Sequence, residues 1–208
     1  MSRFFSVNRD IFLRTLFLVS VNFYFLSAGA SQGATVLAVN TLLMQLFTLF
    51  SYVMDGFAYA GEAMCGRLHG AGNTTEFKRT IKHLFAWGAA LAAIYTLTYA
   101  AGGNAFLALL TDNATVIAAA REYFPWAVLI PACGMAAFIW DGVFIGITAT
   151  RGMLASSAIA TMVFFATYIS LRAAMHNHAL WLAFLAYLLA RGVAQTVIYK
   201  NISTQPNP

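Results

Sequence analysis

Residues 15 to 54 contain no Asp, Glu, Lys, Arg or His. A helix crosses the hydrocarbon of a bilayer in roughly 20 residues, so this run is long enough for two crossings. The Gly29-Ala30-Ser31-Gln32-Gly33 stretch supplies the turn between them. Further charge-free runs cover residues 84–111, 123–140 and 152–171, and residues 180–199 are interrupted only by Arg191. Six spans result. Each must be helical, because backbone exposed to lipid finds no water and has to satisfy its own hydrogen bonds. The helices are expected at about 11–28, 34–64, 79–101, 123–148, 153–172 and 179–199. The fold class is all-α, a polytopic membrane protein with six transmembrane helices. Composition agrees, since 61% of residues are hydrophobic and 9% charged, which leaves no segment for a soluble module. The spacing predicts one six-helix lobe over residues 1–200 and a disordered cytoplasmic tail over 201–208.

The net charge of +5 does not imply nucleic acid, because the basic residues form no patch interleaved with aromatics. They are sorted by loop instead. One membrane side receives Arg3, Arg9, Arg14, Arg67, Lys78, Arg79, Lys82, Arg151, Arg191 and Lys200, and the other Arg121 and Arg172. By the positive-inside rule the richer side, with both termini, is cytoplasmic. Cys65 and Cys133 show no paired spacing and read as small apolar helix residues. Met1 to Arg14 is polar and basic and does not read as a signal peptide.

Between the spans, Gly66 to Lys82 reads as a polar loop. Thr111-Asp112-Asn113 ahead of residues 114–120 reads as the cap of a short interfacial helix. Pro125 and Pro131 fall in the fourth span, where Pro131 would free a carbonyl and bend the helix. Arg172 to His178 reads as a hairpin on the less basic side. Three spans followed by three more suggest a weak pseudo-repeat, although the two Asp-Gly pairs do not fall on equivalent helices.

Asp55 and Asp141, each followed by glycine, lie inside apolar runs. An ionisable group at that depth is costly and lines a cavity or an ion path more often than it faces lipid. These are the candidate proton- or substrate-facing carboxylates. Glu62 is seven residues from Asp55, so both share one helix face, and Asn40 and Gln45 add polar groups on the same helix. Asn40, Gln45 and Glu62 are therefore candidate cavity-lining residues. The competing reading is that such groups hydrogen-bond between helices and hold the bundle. Gly142-Val143-Phe144-Ile145-Gly146 has the small-xxx-small spacing that lets helices approach closely, while Gly66 to Gly70, with the same spacing, reads as loop.

The Gly29 to Gly33 stretch also matches G-x-S-x-G. A nucleophile elbow needs a strand before it and a helix after it, and here the match joins two membrane helices, so enzyme chemistry is not expected. His176 and His178 read as wetted loop residues, and no metal site or cofactor is expected.

Asn8-Arg9-Asp10-Ile11-Phe12-Leu13-Arg14-Thr15-Leu16 and Leu37-Ala38-Val39-Asn40 with Gln45 resemble the DinF branch of the MATE (multidrug and toxic compound extrusion) transporters. More specific are residues 51–62, Ser51-Tyr52-Val53-Met54-Asp55-Gly56-Phe57-Ala58-Tyr59-Ala60-Gly61-Glu62, running on to Gly70-Ala71-Gly72-Asn73. Trp140-Asp141-Gly142-Val143-Phe144-Ile145-Gly146 supports them. The resemblance covers nearly the whole chain. It implies a bacterial inner-membrane antiporter of twelve helices in two lobes, of which this chain matches the C-terminal one. Such a protein expels drugs or other organic compounds against an inward proton or sodium gradient. The implied partners are the lipid bilayer, a small organic substrate, and a first-lobe chain or a second copy. In the DinF branch the coupling carboxylate is usually placed in the first lobe. Sodium-coupled relatives carry a Glu in the first helix of this lobe, and Phe17-Leu18-Val19-Ser20-Val21-Asn22 holds none.

Overall fold

A computed structural model describes residues 2–203, all of them in helices or short turns. Six helices follow one another: α1 (Ser2–Ser31), α2 (Ala34–Gly70), α3 (Thr74–Leu110), α4 (Ala114–Gly146), α5 (Thr150–Met175) and α6 (Asn177–Ser203). Each is long and apolar enough to cross a membrane. α6 runs to Ser203, and residues 204–208 of the expected tail lie outside the described residues.

The expected number of spans is met, but the helices run longer and the turns shorter than the charge pattern suggests. The Gly66 to Lys82 region is helix except at Ala71, Gly72 and Asn73. There the Gly72 and Asn73 N–H groups donate to the carbonyls of His69 and Leu68, a Schellman closure with Gly72 in the left-handed region at φ 67°. The Asn73 side chain then caps α3 by accepting from the Glu76 N–H at 3.1 Å. One residue thus ends one helix and starts the next, and no polar loop is needed.

Residues 114–120 are the first turns of α4 rather than a separate helix. Asn113, not Asp112, is the cap and accepts from the Thr115 and Val116 N–H groups at 3.0 and 3.2 Å. α4 continues through Pro125 and Pro131, as membrane helices can where neighbours compensate the lost bonds. α3 is interrupted at Gly103 (φ 16°, ψ −97°), where the sequence ends the third span.

α4 is the axis of the bundle, with residues such as Ala127, Ile130, Ala137, Ile139, Val143 and Phe144 wholly buried. It packs with α2 and α3, while α1 and α5 pack with α6, and the α4–α6 contact joins the two trios. These trios are not the first and second halves of the chain, so the suggested sequential repeat is not the packing unit. The α2–α4 seam is backbone on backbone. A methyl group at Gly142 would collide with the Ala58 carbonyl, and one at Gly66 would stand 3.0 Å from the Gly146 carbonyl. The Gly142-xxx-Gly146 spacing therefore does set a close approach, and Gly66, read as loop, belongs to the same seam. A T-shaped aromatic cluster of Phe25, Trp181, Phe47 and Phe184 fills the middle.

Two of the arginines assigned to the basic side are not at a loop. Arg191 is buried in α6 at 3% exposure, and Arg14 is half-buried on α1. Ten less these two still leaves eight basic residues against two. Cys65 and Cys133 are free thiols in α2 and α4.

Candidate functional site

Asp141 is on α4, one turn before the glycine seam ends, and it is 5% exposed. A lone carboxylate there would be very costly, and the bundle answers with cations from two other helices. Arg14 of α1 and Arg191 of α6 each donate through Nη2 to Asp141 Oδ2. Gln195, one turn beyond Arg191, donates through Nε2 to Oδ1 at 2.7 Å. The Arg191 guanidinium also lies over the Phe138 ring, 5.5 Å from its centroid, a cation–π contact that further offsets its desolvation.

The cluster is not saturated. Arg14 Nε, Arg191 Nε and Gln195 Oε1 are buried without a hydrogen-bond partner among the described residues. Beside them is a cavity of about 140 Å³, lined by Arg14, Asp55, Tyr59, Glu62, Phe138 and Asp141. Asp55 and Glu62, both half-buried on α2, line it as well. Three carboxylates and one guanidinium thus share a space of only a few water volumes, at roughly 30 Å³ per water. The arrangement can exchange partners: a proton or a small cation at one carboxylate alters what the arginines must balance.

Of the five candidate residues, the fold brings Asp55, Glu62 and Asp141 together. Asn40 is elsewhere and fully buried. It forms a reciprocal amide pair with Asn177, at 2.8 and 2.9 Å, and accepts the Trp181 indole N–H at 3.0 Å. Its polar atoms are spent in fastening α2 to α6. Gln45 is exposed in a separate groove with Leu37, Thr41 and Asn113, towards the other end of the bundle. Sequence reasoning missed Arg14, Arg191 and Gln195 as members of the site. The available signal was Arg191 itself, the one ion in an otherwise apolar span, with Gln195 at the i+4 position on the same face.

His178 also departs from its expected loop setting. It sits in the first turn of α6, where its Nδ1 accepts the Trp126 indole N–H at 3.0 Å. Since the indole can only donate, the proton is on Nε2, which donates to Glu122 Oε1 at 3.0 Å. Ser31, in the G-x-S-x-G match, donates its hydroxyl to the Ala28 carbonyl at 2.8 Å.

Residues 11–170 match the family model MatE. The chain is 34% identical over 199 residues to the DNA damage-inducible protein F of Escherichia coli (strain K12). That alignment takes in 96% of this chain and 43% of the relative, so the chain spans less than half the length of the curated protein it matches.

Proposed function

The chain belongs to the MatE family, and on that footing we propose that it forms the membrane lobe of a secondary antiporter. It would export drugs or other organic compounds in exchange for protons or sodium, from a bacterial inner membrane with both termini cytoplasmic. The observation that carries this reading is the ionic cluster itself. Asp141, Arg14, Arg191 and Gln195 are gathered inside an apolar bundle beside a cavity shared with Asp55 and Glu62. Such clusters are expensive in a membrane and mark ion or proton paths. Asp55 is the ion-facing carboxylate in this reading. Asp141 is the fixed acceptor whose arginine partners redistribute when a proton or cation arrives.

Alternating access needs one lobe moving against another. A second reading is therefore kept: a non-transporting remnant, or an assembly subunit that works only with a first-lobe partner. One observation favours it: the cavity beside the ionic cluster, about 140 Å³, is too small for a drug-sized compound. Reconstitution separates the readings. Vesicles holding the full chain, given a proton or sodium gradient and a cationic dye, should show gradient-driven efflux that Asp141→Asn and Asp55→Asn abolish. No flux from the chain alone, restored by co-reconstituting the first half of the Escherichia coli relative, supports the subunit. No flux in either arrangement leaves the remnant.

A further inference from the structure

A cavity of about 690 Å³ lies away from the cluster of Asp55, Glu62 and Asp141. It opens where the start of α1, the α4–α5 turn and the end of α6 meet, on the arginine-rich end of the bundle. Arg9, Asp10, Thr150 and Arg151 line its polar part, and Val7 and Ile202 its apolar part. Asp10 is 1% exposed, with Oδ1 accepting from Arg9 Nε and Nη2 at 3.3 and 3.1 Å and Oδ2 from the Thr150 hydroxyl at 3.2 Å. That arrangement fixes the Arg9 guanidinium at the rim and cancels one charge. Arg151 has no ion-pair or hydrogen-bond partner among the described residues, so the cavity carries a net charge of +1 from these three ions. A phosphodiester has the complementary single negative charge, and guanidinium groups bind it through paired N–H donors.

We propose that this cavity binds the phosphate of an anionic phospholipid headgroup. Depth favours lipid over a soluble anion. Arg9 and Asp10 precede the charge-free run that starts at residue 15, and Arg151 immediately precedes the one over 152–171, so the cavity lies at the ends of the apolar runs, where headgroups begin. Its volume far exceeds a bare phosphate and has room for a glycerol backbone against Val7 and Ile202. The site is independent of the antiport reading and stands whether or not the chain transports.

Arg151 provides the test, because it is exposed, has no partner among the described residues, and its replacement leaves the Asp10 cluster intact. The purified full chain in a non-ionic detergent is titrated with a short-chain fluorescent phosphatidylglycerol and followed by anisotropy. Arg151→Gln should weaken binding by on the order of fivefold and Arg151→Glu by more than that. Arg67→Gln, the same charge loss on the same end but outside the cavity, should leave binding within about twofold. Melting temperatures confirm that the variants are folded. Equal binding by wild type and Arg151→Glu, or an equal loss from Arg67→Gln, overturns the proposal. So does binding of deacylated glycerophosphoglycerol or inorganic phosphate as tightly as the lipid, which would make this a soluble-anion pocket.

Discussion

The Arg14 guanidinium reaches from α1 to the Asp141 carboxylate on α4, although those two helices share almost no other packing. The ion pair therefore ties α1 to α4, beside the α4–α6 contact, at a point where packing between those two helices does not. Removing the carboxylate charge leaves Arg191, at 3% exposure, facing a neutral amide. Asp141→Asn should destabilise the folded chain by about 3 kcal/mol, the range seen when one partner of a buried pair is lost. Replacing both buried members, Asp141→Leu with Arg191→Met, should recover most of that, while Arg14 extends to the membrane edge. Thermal melting in one detergent checks both, and an unchanged melting point for Asp141→Asn would sink the linkage.

Gly142 and Gly56 are both helical glycines after an aspartate, yet only one is constrained. Alanine at Gly142 drives a methyl into the Ala58 carbonyl, whereas around Gly56 that position is open space. Gly142→Ala should separate α2 from α4 and abolish recovery of monodisperse protein on size exclusion. Gly56→Ala should be neutral or stabilising by about 0.5–1 kcal/mol, the ordinary helix gain over glycine. Equal behaviour of the two variants would mean that the seam is looser than described.

Asn40 and Gln45 read alike in the sequence and differ in the fold. Asn40→Ala strips the buried Asn177 and Trp181 of their partners, an expected loss of about 1–3 kcal/mol for groups left unsatisfied. Gln45→Ala, at an exposed position, should fall within about 0.5 kcal/mol of wild type. Chemical denaturation in mixed micelles can rank the two. A costlier Gln45→Ala would point to a covering partner on that groove.

The six spans were legible because charge-free runs answer directly to the thickness of hydrocarbon. Their ends were not. Polar residues such as Glu76 and Lys78 look the same whether a helix stops at the membrane or continues past it, and the Asn73 cap makes it continue. Arg14 beside a charge-free run reads equally well as a snorkelling edge residue or a buried partner. Only the fold, which brings it to a residue 127 positions away, separates the two. The Asn40 pairing spans 137 positions and was equally invisible, whereas the Gly142-xxx-Gly146 seam was readable because close approach depends on local side-chain size alone. Asp55, Glu62 and Asp141 were found as ions in apolar runs, and the groups that balance Asp141 were not.

Two turns share one hydrogen-bond pattern and differ in the residue at the left-handed position. After α2 that residue is Gly72 at φ 67°, and after α4 it is Thr148 at φ 56°, with the following Ala149 N–H donating to the Phe144 carbonyl at 2.8 Å. A β-branched residue is strained there and glycine is not. Gly72→Ala should therefore lower stability by about 1 kcal/mol, and Thr148→Gly should raise it by a similar amount. A nonspecific effect of chain flexibility predicts the reverse signs, because replacing Gly72 would remove unfolded-state entropy and introducing glycine at 148 would add it. Melting temperatures of the two variants in one detergent distinguish these outcomes. A drop for Thr148→Gly would show that the threonine side chain holds the α4–α5 turn more strongly than its backbone opposes it.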